Sequence, residues 1–300
     1  MIQPPRNVLC SYHYYKDYDL DQLTSLRIIG DSGAFSAKSQ GATISTADLA
    51  RWAKQWRHRL AWVAALDVIG DPEATRRNWH DMVEGHGVPG VPTVHFGESP
   101  TELDYYAERG VDFVGLGGMV GKHTTKQMRW LVTMFRYARD HHPTMRFHGW
   151  GVTADSVLRL PFYSVDSSGW TAAVRYGRLT LRDPATPRDY TVHLNGRDIY
   201  RPEVARLLRR AYGVSMRDAA TSSGANREVI TRLAALSTSV QEARFRRLHG
   251  PIAAPVWGQL SSETGSAPHL HLADVSEKPF ERLAVECRST PEDTRTPTNP

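Results

Sequence analysis

Residues 113–150 decide the fold. They open on a short apolar run, Phe113-Val114-Gly115-Leu116-Gly117, and pass through the glycine-rich Gly118-Met119-Val120-Gly121. An amphipathic stretch follows, Thr125–His141, entered at Thr124, and then a second apolar run, Arg146-Phe147-His148-Gly149-Trp150. A strand, a helix and a strand in that order make a βαβ unit, whose two strands run parallel.

The same alternation recurs on both sides. Apolar runs at Val8–Tyr15, Leu26–Gly30, Trp62–Val68 and Gly90–Phe96 precede the unit, and Phe162–Val165 follows it. Helical patterns lie between them at Ala47–Arg59, Glu73–Gly85, Thr101–Arg109 and Ala154–Leu160. Their openings are Thr46, Asp71-Pro72, Ser99-Pro100 and Thr153, with Pro in a tolerated first-turn position. This is the α/β class. Seven or eight such strands would close a TIM-type (β/α)8 barrel with its site at the strand C-termini. A doubly wound open sheet is the competing architecture, but no G-x-G-x-x-G fingerprint follows the first strand.

The chain has 300 residues, 40% hydrophobic and 23% charged, enough for a sizeable core. Its net charge of +5 permits a polyanionic partner without demanding one. The excess is local: residues 201–250 carry ten Arg against four acids in a helical pattern. From about residue 259 onward Ser, Thr, Pro and acidic residues dominate, the composition of a disordered tail. The expected organisation is a barrel over 1–200, a basic helical extension over 201–258 and a loose tail over 259–300. No run approaches the roughly 18 apolar residues of a membrane span. The start, Met1-Ile2-Gln3-Pro4-Pro5-Arg6, has no leader pattern, so the cytoplasm is the expected location. Two distant cysteines, Cys10 and Cys287, exclude a disulfide scaffold, a zinc knuckle and an iron–sulfur cluster. No cofactor or metal is expected.

Three aspartates each follow an apolar strand: Asp31 after Ile28-Ile29-Gly30, Asp67 after Ala64-Ala65-Leu66, and Asp166 after Tyr163-Ser164-Val165. One such residue alone reads as a helix cap or turn former. In a barrel, three converge on one mouth, where two carboxylates facing a sugar C1′ can share glycosidic chemistry. The glycines of Gly115–Gly121 let backbone approach a ligand closely, but no Lys-Ser/Thr follows in P-loop register. Among thirteen histidines there is no H-E-x-x-H. His95 at a strand end reads as a polar ligand contact or a satisfied strand-end side chain, and His269 and His271 fall in the expected tail.

Taken together these residues resemble the tRNA-guanine transglycosylases. Asp31-Ser32-Gly33-Ala34-Phe35 is similar to that family's Asp-Ser-Gly-Gly-Phe/Tyr motif, and Leu66-Asp67 falls at its base-reading aspartate. His95-Phe96-Gly97 sits at its Gln-Gly, and Gly117-Gly118-Met119-Val120-Gly121 looks like its Gly-Gly-Leu-Ala-Val-Gly loop. Gly151-Val152-Thr153 and Val165-Asp166-Ser167-Ser168 resemble its Gly-Val-Gly and nucleophile segments. Order and spacing agree over roughly residues 8–200. The closer resemblance is to a divergent branch, carried by bacteriophages and some bacteria, that places 7-deazaguanines into DNA. The tRNA enzymes carry a Cys-x-Cys-x-x-Cys…His zinc site, which two distant cysteines cannot build.

The resemblance implies base exchange. Asp166 would attack C1′ of a guanosine residue, and Asp31 would serve as general acid and base. Asp67 would accept from the N–H edge of the base and His95 would meet its carbonyl side. Gly117, Gly118 and Met119 would line the pocket for the 7-substituent. Phe35 and Trp150 would stack on the base, Trp150 having few sequence neighbours to pack on. Arg206, Arg209, Arg210, Arg244, Arg246 and Arg247 would contact phosphates. The implied partners are DNA and a free 7-deazaguanine base of the preQ0 type. A zinc-less tRNA enzyme, a non-catalytic nucleic-acid-binding barrel and a sugar glycosidase remain open.

Overall fold

Alternation along Phe113–Gly117 sorts its side chains onto two faces. Val114 and Leu116 join the large buried cluster that packs beneath the helices. Phe113 joins a separate cluster with Leu9, Ile29 and Trp62 on the opposite, inner face. The neighbouring strands divide in the same way, Val8 and Cys10 outward and Leu9 inward. A sheet buried on both faces is one that carries crossover helices.

The structure is a computed structural model that describes residues 2–152, 154–194, 198–219, 227–261, 268–273 and 280–288. Its strands are β1 (Asn7–Ser11), β2 (Arg27–Asp31), β3 (Leu60–Val63), β4 (Thr93–His95), β5 (Phe113–Gly117), β6 (Arg146–Gly149), β7 (Ser164–Ser167), β8 (Arg178–Arg182), β9 (Asp189–His193) and β10 (His269–Ala273). Its helices are α1 (Tyr12–Tyr15), α2 (Ala34–Ser39), α3 (Thr46–Gln55), α4 (Pro72–His80), α5 (Glu102–Ala107), α6 (Thr124–His141), α7 (Ala172–Tyr176), α8 (Pro202–Leu207), α9 (Met216–Ala219), α10 (Arg227–His249) and α11 (Phe280–Arg288). Eight strands form one curled parallel sheet in the order β3-β2-β1-β10-β7-β6-β5-β4. With its helices this is an α/β fold compatible with a TIM-like barrel. An isolated parallel bridge, Ala64 to Val91, joins the end of β3 to the approach to β4, with Val91 N donating to Val63 O at 2.8 Å.

Local signals account for the helix starts. Asp71 Oδ1 accepts from Ala74 N at 2.9 Å, with Pro72 in the first turn of α4. Ser45, one residue before the expected Thr46, caps α3 by accepting from Asp48 N at 3.1 Å. The stretch 154–160 carries only a single turn, Val157–Arg159, and Thr153 lies outside the described residues. No helix among the described residues is long and apolar enough to cross a membrane.

The sequence-based boundaries at 200 and 258 need correcting. The eighth strand comes from the expected tail: β10 inserts between β1 and β7, pairing Leu272 with Val8 and His271 with Asp166. Its residues His269, Leu270, His271 and Leu272 are all buried, and α11 buries Phe280 and Ala284 behind them. The remainder of 262–300 lies outside the described residues. Residues 201–258 are not an appendage either. Helix α10 places Ala235 and Phe245 in the main core, and Glu242 accepts from Asn7 Nδ2 at the start of β1 at 2.9 Å. It is the helix between the seventh and eighth sheet strands. The antiparallel β8–β9 hairpin and α8 pack against it through a second cluster containing Leu181, Val204 and Leu233.

Candidate active site

Parallel strands deliver their C-terminal ends to one rim. Ser11, Asp31, His95, Gly117, Gly149 and Ser167 are the last residues of β1, β2, β4, β5, β6 and β7. The period of two places Asp31 on the face of Ile29, and Asp166 on the face of Ser164.

Asp166 is buried, 7% exposed. Its Oδ1 accepts from Gly151 N at 2.8 Å and lies 3.3 Å from His148 Nε2. His148 Nδ1 lies 2.8 Å from Ser164 Oγ. Complete burial pushes His148 down to about 3, so it is neutral. With Nε2–H donating to Asp166 and the Ser164 hydroxyl donating to Nδ1, both contacts are satisfied. On β10, His271 lies 6.1 Å from His148, ring to ring, and burial holds it neutral as well. The carboxylate thus rests on a layer of neutral imidazoles instead of the branched aliphatics that usually fill such a sheet.

Asp31 Oδ2 accepts from Gly33 N at 3.1 Å. The turn needs glycine: Gly33 has φ +74°, and a Cβ there would collide with Ser11 Oγ. Burial first, then the negative charges of Asp67 and Asp166, push Asp31 up to about 7. Burial pushes Asp166 up to about 7, against the Gly151 N–H and its own N–H. Asp166 also bears on Asp31 by charge, so the two carboxyls titrate as a coupled pair near neutrality: once one is ionised, the other holds its proton more firmly.

Asp67 and His95 come together as expected but are bonded to each other. His95 Nε2 lies 2.7 Å from Asp67 Oδ2, and His95 Nδ1 lies 3.3 Å from Glu98 Oε1. Burial opposes a charge on His95, but the two carboxylates outweigh it and push the ring up to about 9. Cationic His95 therefore has both N–H groups engaged and offers none to a base carbonyl. Asp67 has Oδ2 committed to His95, which leaves Oδ1 as the oxygen it could offer to a ligand.

Trp150 departs most from expectation. It is well packed, by neighbours on adjacent strands rather than adjacent in sequence. Its ring sits over Gly115 and Gly117, its Nε1 donates to Thr93 Oγ1 at 3.1 Å, and its ring centroid is 4.2 Å from that of His148. A Cβ at Gly115 would collide with the indole Nε1. Gly115→Ala should therefore cost about 1–3 kcal/mol by overpacking, read as a lower denaturation midpoint. A midpoint equal to wild type would mean that the indole moves freely.

Gly118 has φ +71°, and a Cβ there would press on Phe96 N at 3.2 Å and His95 Cβ at 3.3 Å. Met119 is buried, and Gln127 Nε2 donates to its carbonyl at 2.8 Å, so the loop is braced from α6. The side chain of Phe35, on α2, lies outside the described residues. Three of the six expected phosphate-binding arginines are engaged internally. Arg210 Nη2 bonds both oxygens of Asp183 at 2.9 and 2.8 Å. Arg244 bonds Asp189 and three backbone carbonyls, and Arg246 bonds Pro268 O and His269. Arg206, Arg209 and Arg247 are exposed.

Sequence reasoning did not find the supporting residues His148, Ser164, Glu98 and Thr93. The available signal was the strand period: Ser164, His148 and Thr93 each stand two residues before Asp166, Trp150 and His95, on the same face. The order Asp31–Asp67–His95–Trp150–Asp166 around one rim is the site's signature. No protein-family model matches this chain, and no curated protein matches it in sequence.

Proposed function

We propose that this chain is a base-exchange transglycosylase that replaces guanine in DNA with a 7-deazaguanine through a covalent glycosyl–Asp166 intermediate. One observation carries the reading. Asp31 and Asp166 are two strand-end carboxyls on the same rim, both pushed up to about 7 by burial and coupled through the charge of Asp166 on Asp31. Such a pair suits one acid and one nucleophile. The reading takes the curled sheet as a (β/α)8 barrel, supported by the bridge between its end strands.

The chemistry runs in two halves. The ionised Asp166 oxygen attacks C1′ as the C1′–N9 bond to guanine breaks, and protonated Asp31 donates its proton to the departing base. The incoming 7-deazaguanine then gives its N9 proton to Asp31, and N9 attacks C1′ to release Asp166. Gly151 N–H and His148 hold the Asp166 carboxylate in place throughout. The Asp67 Oδ1 edge and the braced Gly117–Met119 backbone offer polar groups to the base, with Trp150 as a wall. A base in a duplex cannot reach this rim, so the target is flipped out or single-stranded. DNA is preferred over tRNA because two cysteines cannot make the zinc site of the resembling tRNA enzymes. Exposed Arg206, Arg209 and Arg247 are available to phosphates.

Nucleoside mass spectrometry on cells expressing the chain tests this. A 7-deazaguanine nucleoside is expected in DNA; its appearance only in tRNA would establish the tRNA reaction, and its absence from both would overturn the reading. The pH dependence follows from the pair. As pH falls, Asp166 gains a proton and loses nucleophilicity; as pH rises, Asp31 loses the proton that the leaving base needs. The exchange rate should peak near pH 7 and decline on both sides. In Asp31→Asn the rate should drop about 10²–10⁴-fold and the alkaline limb should vanish. An unchanged profile would remove Asp31 from the chemistry.

A further inference from the structure

Ser167 follows Asp166 and ends β7. Beside it lies a cavity of about 190 Å³, bounded by β8, α10 and the turn into α7. Among the described residues its polar walls are Ser167, Arg178, Thr180, Arg182, Thr238 and Gln241, with no acidic side chain. Three of these are already committed: Ser167 Oγ accepts from Gly169 N at 2.8 Å, Thr238 donates to Ala234 O at 3.1 Å, and Gln241 donates to Asp155 at 2.7 Å.

The arginines differ. Arg182 is only 14% exposed, yet its Nε–H has no hydrogen-bond partner among the described residues. Asp189 Oδ2 stands 3.7 Å from it, beyond hydrogen-bond reach, and the other oxygen of Asp189 is held by Arg244 at 2.6 Å. A buried donor without an acceptor is costly unless a ligand supplies one. Arg178 is exposed, and while its backbone pairs with His193, its guanidinium has no hydrogen-bond or ion-pair partner among the described residues. A phosphate brings several acceptor oxygens and the negative charge that two guanidiniums in one cavity select.

We propose that this cavity is a phosphate subsite that seats a phosphodiester of the nucleic-acid strand whose neighbouring nucleotide lies at Asp166. The proposal rests on the nucleic-acid reading above. It involves none of the arginines singled out from composition.

The test measures binding without turnover. The full chain is titrated with a fluorescent, guanine-containing single-stranded DNA across a series of salt concentrations. No incoming 7-deazaguanine is supplied, so binding is read apart from base exchange. Arg178→Ala should weaken binding about three- to tenfold at low salt and reduce the salt slope by about 0.7, the value of one single-strand phosphate. Arg182→Met should do the same; if it unfolds, exposed Arg178 still decides. An unchanged slope in Arg178→Ala, or no DNA binding by wild type, overturns the proposal. A thermal shift with inorganic phosphate that Arg178→Ala loses, with the DNA slope unchanged, would assign the cavity to free phosphate and overturn the strand assignment. If the slope falls as expected while no base is exchanged, the subsite stands and the transglycosylase reading falls.

Discussion

Asp166→Asn should abolish base exchange, by about 10⁴-fold or more, and leave the protein folded. In the proposed reaction the nucleophile is the one group whose removal leaves no route to a covalent intermediate. Asparagine keeps an oxygen for Gly151 N–H, so the local backbone has no reason to move. Asp166→Ala should be equally inactive. Asp166→Asn should also be more stable than wild type above neutral pH. Burial raises the carboxyl to about 7, whereas in the unfolded chain it titrates near 3.9. Between those values the folded state binds the extra proton, so wild-type stability declines as pH rises from about 4 through 7. Asparagine has no such penalty. Thermal melts at pH 5 and pH 8 should show wild type losing stability relative to Asp166→Asn. A variant that is less stable at pH 8 would mean that the carboxylate is a structural anchor rather than a strained functional group.

A chain ended at residue 261 should fail to fold into its native core. It would lack β10, and the sheet would be split between β1 and β7 at the place where Leu270 and Leu272 are fully buried. Two central strands would become open edges, which invite aggregation. Trp170 Nε1 would lose its acceptor, Ala273 O, and Arg246 would lose Pro268 O. Near-UV circular dichroism should collapse and the product should elute as aggregate. A monomer with the native near-UV spectrum would show that β10 is dispensable. The same reasoning reverses the sequence-based expectation of a barrel complete within residues 1–200.

That reversal shows where the sequence was legible. The stretch 113–150 could be read because its strands carry alternating apolar residues and its helix a full amphipathic face. His269-Leu270-His271-Leu272-Ala273 alternates too. Its inward positions are histidines facing a polar interior, and Ser, Thr and Pro surround it, so composition pointed to a tail. The strand-end aspartates were legible because a carboxylate after an apolar run is local information. Their supports were not. His148 and Ser164 reach Asp166 through cross-strand register, and Trp150 finds its glycine floor on β5, more than thirty residues earlier in the chain. Arg210, Arg244 and Arg246 show the limit of counting charge: composition cannot tell a solvated guanidinium from one that ties a hairpin to a helix.

The most direct test is to incubate the purified protein with labelled guanine and, in parallel, with DNA and with tRNA. The account predicts label entering DNA in wild type and none entering with Asp166→Asn. Label incorporated by the Asp166→Asn protein, or by wild type into neither polymer, would contradict it.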